Sequence, residues 1–162
     1  MDIINGQIIH KLTMHDDALS SICFSPNGKN IVSIDYHDNI LIWDIETGNS
    51  FLIKGQTDGG QSVCYSSNGK NIVIAGMNGN IQIINVTTRD IIYTIKAHDQ
   101  PIRKVLYTPD GKKIISASDD GTIKFWKATT SKLVRTLNNN GSIWAIDSYQ
   151  DMSITEKLQK LL

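Results

Sequence analysis

His98, Ser116 and Asp120 are the residues in this chain whose types could do chemistry together, with Trp126 close behind them. A serine, a histidine and an aspartate are the parts of a nucleophilic triad, in which the imidazole takes the hydroxyl proton and the carboxylate orients the ring. Joined by an indole N–H, the same groups can instead close a hydrogen-bond network, because each donor finds an acceptor among the others. His15, Ser33 and Trp43 repeat part of that set, and His37 adds a second histidine beside His15. Such a pair could hold a metal or sense pH, but two histidines without a third ligand make a poor zinc site. Neither His10 nor His98 improves the case, so no metal and no cofactor is expected.

The elements that position these residues come in copies. Ser25-Pro26-Asn27-Gly28-Lys29-Asn30-Ile31-Val32 returns as Ser66-Ser67-Asn68-Gly69-Lys70-Asn71-Ile72-Val73, and again as Thr108-Pro109-Asp110-Gly111-Lys112-Lys113-Ile114-Ile115. Gly28, Gly69 and Gly111 are 41 and then 42 residues apart. A repeat of that length is one supersecondary unit that cannot bury its own apolar faces, so neighbouring copies must stack. Cys23 and Cys64 occupy the same position in successive copies, where the third has Leu106. A position that accepts Cys, Cys and Leu reads as a buried apolar site, so core packing is expected ahead of a disulfide or thiol chemistry. Unpaired cysteines point to an intracellular, reducing setting, cytoplasmic or nuclear.

Within a copy, apolar residues alternate and the breaks fall at turn residues. Leu19, Ile22 and Phe24 precede Pro26-Asn27-Gly28, and Ile31-Val32-Ser33-Ile34 runs to His37-Asp38-Asn39. Ile40-Leu41-Ile42-Trp43 follows, and Glu46-Thr47-Gly48 turns the chain into Phe51-Leu52-Ile53. Short β-branched and aromatic runs broken about every ten residues predict an antiparallel all-β meander. Asn27-Gly28, Asn68-Gly69, Asn78-Gly79, Asp110-Gly111 and Asp120-Gly121 suit tight hairpins whose two central residues both take positive φ.

Charge excludes some partners. In 162 residues, 16 basic and 16 acidic side chains cancel, with no block of one sign. A nucleic-acid or anionic-membrane binder would carry a basic face, so both partners are disfavoured. No apolar run approaches the ~20 residues needed to span a bilayer. The start, Met1-Asp2-Ile3-Ile4-Asn5-Gly6, has no basic segment followed by an apolar stretch, so no secretory signal is expected.

The third copy opens at Ala97-His98 and closes its third strand with Ser116-Ala117-Ser118-Asp119-Asp120-Gly121-Thr122-Ile123-Lys124-Phe125-Trp126, while the first carries Met14-His15 and Trp43-Asp44. From about residue 7 to about 148 the chain resembles the WD-repeat β-propellers, in which each repeat is a four-stranded blade packed around a central channel. The resemblance implies that His98, Ser116, Asp120 and Trp126 form a structural hydrogen-bond network across one blade, and the triad reading yields to it. The other copies depart from the pattern. In the first, which keeps His15, Ser33 and Trp43, His37 falls where the aspartate belongs, so a partly satisfied network is expected. The second has Gln56, Ile74, Asn78 and Ile84, and is expected to be held by its core alone.

The resemblance also implies a partner-facing rim. In the family, the residue after the first apolar position of the inner strand points to the top of the ring, here Ser20, Gln61, Arg103 and Trp144. The residue before the aspartate position shares that face, here Tyr36, Met77 and Asp119. Aromatic, Met and Arg side chains mixed with Asp are the composition of a binding hot spot, so Tyr36, Gln61, Met77, Arg103, Asp119 and Trp144 are the candidate partner-binding residues. Packing of Trp144 and Met77 against neighbouring loops is the alternative. Asp16, Asp17 and Asp99 read as solvated loop carboxylates.

The expected fold is all-β: a partial propeller of about three four-stranded antiparallel blades with a short C-terminal helix. Its array spans 1–148, with blades at about 19–53, 60–95 and 102–137 and orphan strands at about 7–12 and 143–148. The tail, 149–162, is expected to be helical, with a capping box of Ser153 and Glu156 and with Ile154, Leu158 and Leu161 on one face, as a latch over the open sheet end. Three blades cannot close the usual ring. The expected function is a non-catalytic scaffold that binds a protein or peptide within a larger assembly. Alternatives are an open arc that assembles with its own copies, or a truncated part of a longer WD-repeat protein. A propeller enzyme would need converging carboxylates or metal ligands, and the sequence has no such set.

Overall fold

The computed structural model describes residues 11–147. Strands β1 (Leu19–Phe24), β2 (Asn30–Asp35), β3 (Asn39–Asp44) and β4 (Ser50–Lys54) form the first sheet. Strands β5 (Gly60–Tyr65), β6 (Asn71–Gly76), β7 (Asn80–Asn85) and β8 (Ile91–Lys96) form the second. The third holds β9 (Ile102–Tyr107), β10 (Lys113–Ser118), β11 (Thr122–Lys127) and β12 (Leu133–Asn138). Each sheet is a four-stranded meander in which consecutive strands pair antiparallel.

The cores lie between the sheets. Val32, Ile34, Ile40 and Ile42 of the first pack against Val63, Tyr65, Ile72, Ile74 and Ile84 of the second. Val73, Ala75, Ile81 and Ile83 face the other way, onto Ile102, Val105, Tyr107, Ile114 and Trp126 of the third. Successive strand residues point to opposite faces, so a sheet sandwiched on both sides reads as an unbroken apolar run. Ile72-Val73-Ile74-Ala75, fully buried throughout, is that run.

The turns correct one expectation. Gly28 takes φ +69 and its N–H donates to the Ser25 carbonyl at 2.9 Å, but Asn27 is not at positive φ. Instead the Asn27 side-chain oxygen accepts from Ser25 Oγ at 2.7 Å and from the Lys29 N–H at 3.0 Å. Asn68 and Asp110 do the same in their copies. The Asx side chain completes the turn, so only the glycine needs the left-handed region. Between β2 and β3, Asp38 takes φ +61 where the other sheets place Gly79 and Gly121.

Residues 143–147 form no strand, contrary to the inner strand expected over 143–148, and 11–12 form none either. A strand needs a partner ladder, and among the described residues none follows to supply one. Residues 7–10 of the first orphan strand, His10, residue 148 and the tail helix over 149–162 lie outside the described residues.

Candidate functional site

A repeated irregularity builds the candidate site. Leu19 pairs with Asp35 and Ser21 with Ile34, which leaves Ser20 as an extra residue in β1. The same slip leaves Gln61 unpaired in β5 and Arg103 unpaired in β9. A bulge bends its strand and re-aims the side chain it expels. Tyr36, Met77 and Asp119 sit in the turn after the second strand of each sheet. Two of these turns are pinned to the segment before the inner strand, by the Met77 N–H on the Gly59 carbonyl at 3.2 Å and the Asp119 N–H on the Pro101 carbonyl at 3.0 Å.

Arg103 is where the candidates converge. Its Nε and one terminal nitrogen donate to Asp119 Oδ2 at 2.9 and 2.5 Å. The other terminal nitrogen donates to Gln61 Oε1 at 3.4 Å and reaches Met77 Sδ at 3.9 Å. The guanidinium carbon lies 5.1 Å from the centre of the Trp144 ring, within cation–π range. Trp144 is held there by the Ile143 N–H on the Ser118 carbonyl at 3.1 Å. The hydrogen bond to Asp119, then the charges of Asp119 and Tyr36, raise the guanidinium's pKa against a smaller opposing effect of burial. Five of the six partner-binding candidates are thus linked through one cation, and Tyr36 lies within its electrostatic reach. Ser20 instead donates to the Ile34 carbonyl at 3.1 Å.

This cluster is not a closed structural knot. Trp144 is 70 % exposed, Tyr36 48 % and Met77 42 %. Asp119 Oδ1 is buried and has no hydrogen-bond partner. Exposed aromatic and thioether surface around an anchored ion pair has the make-up of a contact patch.

The Ser–His–Asp set is joined into the four-residue network that the resemblance implies. His98 Nε2 and the Trp126 indole both meet Ser116 Oγ, at 2.7 and 3.0 Å, and His98 Nδ1 meets Asp120 Oδ2 at 2.8 Å. Thr122 Oγ1 donates to the other Asp120 oxygen at 2.6 Å. Burial lowers the pKa of His98, and its pairing with Asp120 only partly offsets this. Burial would raise Asp120, yet hydrogen bonds from Thr122 and His98 hold it below the ordinary carboxylate value. Ser116 in β10 and His98 are both buried.

The first sheet completes the same network with a residue that the repeat pattern passes over. His15 Nε2 meets Ser33 Oγ at 2.6 Å, the Trp43 indole donates to that oxygen at 2.8 Å, and His15 Nδ1 meets Asp35 Oδ2 at 3.0 Å. Asp35, not His37, supplies the chemistry of the aspartate. Burial opposes its ionisation, but donors from His15, Asn39 and the His37 backbone pull its pKa down to about 2. His37 stands outside, paired with Asp17 at 3.0 Å. The two histidines therefore serve separate carboxylates. Among the described residues no group of three or more His, Cys, Asp or Glu could hold a metal.

The second sheet is not held by its core alone. Gln82, buried in β7, accepts from the Gln56 N–H at 2.9 Å and donates to Thr94 Oγ1 at 3.3 Å. Asn78 adds a bond to the Gln56 carbonyl at 3.3 Å. Asp38 ties the first sheet to the second by accepting from the Thr57 N–H at 2.8 Å and from the Thr57 hydroxyl. The cysteines pack on the cores as expected, Cys23 on the first and Cys64 on the second, but they are only half-buried where Leu106 is buried.

Stacked four-stranded meanders with their cores between the sheets are the blades of a β-propeller. The family described as WD domain, G-beta repeat matches residues 6–44 and 89–127, the stretches that end at Trp43-Asp44 and Trp126-Lys127. The middle copy, with Ile84 for the tryptophan, lies outside both. Solved structures of U3-55K and of the RRP9 WD40 repeats are similar, each at 20% identity and TM-score 0.77. Each similarity covers 81% of this chain and 42% of the other, so the chain spans less than half of either. No curated protein sequence matches it. Two of its three blades thus carry WD-repeat sequence, and its fold is that of the solved WD-repeat structures.

Proposed function

We propose that this chain is a non-catalytic interaction scaffold that binds a protein or peptide on the face formed by Tyr36, Gln61, Met77, Arg103, Asp119 and Trp144. The observation that carries the reading is the convergence of these side chains on one guanidinium, with Trp144, Tyr36 and Met77 left open to a partner. Interaction with other proteins is the general role of WD-repeat propellers. The absence of catalysis is supported by Ser116 and Ser33, whose hydroxyls are each held between a histidine and a tryptophan. The balance of 16 basic and 16 acidic residues favours a protein over a nucleic acid. Unpaired thiols suit an intracellular setting, cytoplasmic or nuclear.

The test is selection of a displayed random-peptide library on the chain, with binding of the enriched peptides measured on an Arg103→Ala, Trp144→Ala double variant. Enriched peptides should bind the unaltered chain at least about tenfold more tightly than the variant, since two hot-spot residues are removed. Equal binding to both, or no enrichment, refutes the reading.

A second reading is an arc that completes a ring with its own copies. It is favoured by Ile22 and Phe24, 59 % and 61 % exposed on the side of β1 turned away from the second blade. Closed propellers have about four blades or more. Sedimentation of a stable monomer at micromolar concentration would refute it.

A further inference from the structure

At the opposite strand ends from Arg103, the β1–β2 and β5–β6 turns stand side by side and enclose a cavity of about 190 Å³. Pro26 and Asn27 come from the first blade, and Tyr65, Asn68 and Val86 from the second. Tyr65 forms the inner wall, since it is buried while Asn27 and Asn68 are exposed at the mouth. Its hydroxyl is buried with no hydrogen-bond partner. Burial pushes the phenol up to about 12, so the hydroxyl stays a neutral donor at neutral pH. A buried O–H without an acceptor carries an uncompensated desolvation cost, and an acceptor that enters the cavity recovers it.

The mouth repeats that polarity. The Asn27 side-chain oxygen already accepts from Ser25 Oγ and the Lys29 N–H, and the Asn68 oxygen accepts from Ser66 Oγ at 2.8 Å and the Lys70 N–H at 3.0 Å. These bonds fix which end of each amide is which, and they leave both Nδ2 groups as donors with no partner among the described residues. Lys29 and Lys70 follow the two turn glycines and are exposed, so each turn carries a positive charge. No charged side chain lines the cavity itself. The junction of the second and third blades differs at both points. There Asp110 makes the turn bonds that Asn68 makes, which sets a carboxylate at that mouth, and Ser67 Oγ closes against Gly111, where a Cβ would overlap it.

We propose that the cavity between the first two blades binds a carboxylate, held by the Tyr65 hydroxyl and the Asn27 and Asn68 amides, with its alkyl stem against Pro26 and Val86. Three donors around one recess call for a group made of acceptors, and hydrogen bonds to a charged acceptor are the strong ones. A phosphate dianion fits less well, because no cation inside the cavity offsets the cost of desolvating it. The volume is below the about 300 Å³ at which drug-sized pockets begin, so the ligand is one side chain or one small acid. The stem can belong to an acidic residue of a peptide or to a free short-chain acid. The site lies away from the Arg103 face and does not depend on partner binding there.

The test titrates the full, isotope-labelled chain with sodium propionate, with the end-blocked tripeptides Gly-Glu-Gly and Gly-Gln-Gly, and with inorganic phosphate. Binding is read from the NMR shifts of the Asn27 and Asn68 side-chain amides. Propionate or Gly-Glu-Gly should shift both amides saturably in the millimolar range, and the tighter of the two identifies the source as a free acid or a peptide side chain. Gly-Gln-Gly, of the same shape but neutral, should bind at least about tenfold more weakly. Tyr65→Phe should weaken the carboxylate by at least about tenfold, yet leave the free chain as stable as before or more so, because the lost hydroxyl bonds nothing in the fold. Asn68→Asp keeps the turn, as Asp110 does in the third blade, and should abolish binding. Equal binding of the two peptides, tighter binding of phosphate than of either carboxylate, or no saturable shift at Asn27 and Asn68 would overturn the proposal. So would a Tyr65→Phe chain that binds unchanged, or one that loses stability, since its hydroxyl would then already have a partner.

Discussion

Truncating Asp35 to alanine asks directly what holds the first blade. Its carboxylate accepts from His15 Nδ1 at 3.0 Å, from Asn39 Nδ2 at 2.8 Å, and from the backbone N–H groups of His37 and Asn39, both at 2.9 Å. A hydrogen bond to a charged acceptor is worth about 1.5–3 kcal/mol, and four that share one carboxylate are not additive. Removing one partner from a buried pair costs about 3–5 kcal/mol, because the other is left without its counterpart. Asp35→Ala should therefore lower the unfolding free energy by about 3–5 kcal/mol, a large share of the about 5–15 kcal/mol that a domain of this kind has. Asp35→Asn, which keeps the shape and one acceptor, should cost about half as much. His37→Ala should cost under about 0.5 kcal/mol, because its side chain is an exposed partner of Asp17. Urea titration followed by tryptophan fluorescence measures all three. The pH dependence must agree in sign: a carboxyl at about 2 when folded against an ordinary 3.8 stabilises fully above the higher value and loses that contribution as pH falls through the lower. The acid-side loss should shrink in Asp35→Asn by the share of Asp35, while the share of Asp120 remains. Equal costs for His37→Ala and Asp35→Ala would refute the assignment of Asp35 as the anchor.

Other substitutions separate packing, hydrogen bonding and surface roles. Ser116→Ala leaves the His98 and Trp126 nitrogens without their shared partner and should cost about 2–3 kcal/mol; a thermal shift equivalent to under about 0.5 kcal/mol would contradict the network. At Gly60 a Cβ would overlap Ile34 Cδ1 and come within 2.9 Å of the Asp35 carbonyl oxygen, so Gly60→Ala should be strongly destabilising. Gly28→Ala meets nothing within 4 Å and pays only for φ +69, about 1 kcal/mol, so the reverse order in urea would undo the inter-blade packing described for β5. Arg103→Ala should change stability by less than about 1 kcal/mol while making Trp144 more accessible to acrylamide, and unchanged quenching would mean that the ring does not sit on the guanidinium.

The strands were legible because alternation and turn chemistry are local: Ile31-Val32-Ser33-Ile34 between two Asx-containing breaks can pair in few ways. The polar network was legible in the third copy and misregistered in the first. Counting from Trp43 puts His37 at the place of Asp120, but residues two apart in a strand share a face, so Asp35 projects beside Ser33 toward His15. The third blade has Ser118 there, and its hydroxyl bonds the Gln100 and Pro101 carbonyls at 3.2 and 2.9 Å instead. The carboxylate has moved from the turn to the strand end without changing what it accepts. Gln82 carried a signal that was there to use: a lone polar residue inside Ile81-Gln82-Ile83-Ile84 must find a partner when that strand is buried on both faces.

The bulges set the rim positions apart from the strand ladders. Ser20, Gln61 and Arg103 are the residues their strands expel, so a change there alters the top face without displacing a ladder partner. Their next neighbours are bound differently. Ser21 accepts from Val63 and Ser62 accepts from Val105 at 3.3 and 3.2 Å, each joining one blade to the next. One residue of register thus separates a position free to choose partners from a position that holds the stack. Arg103 uses that freedom to bind across blades, to Gln61 and Met77 of the second as well as Asp119 of its own. A contact surface gathered from separate blades exists only when they are stacked, so the partner binding proposed for this face would be coupled to the integrity of the array. A partner that engages Arg103 and Met77 together will stabilise the stack by the free energy of its binding.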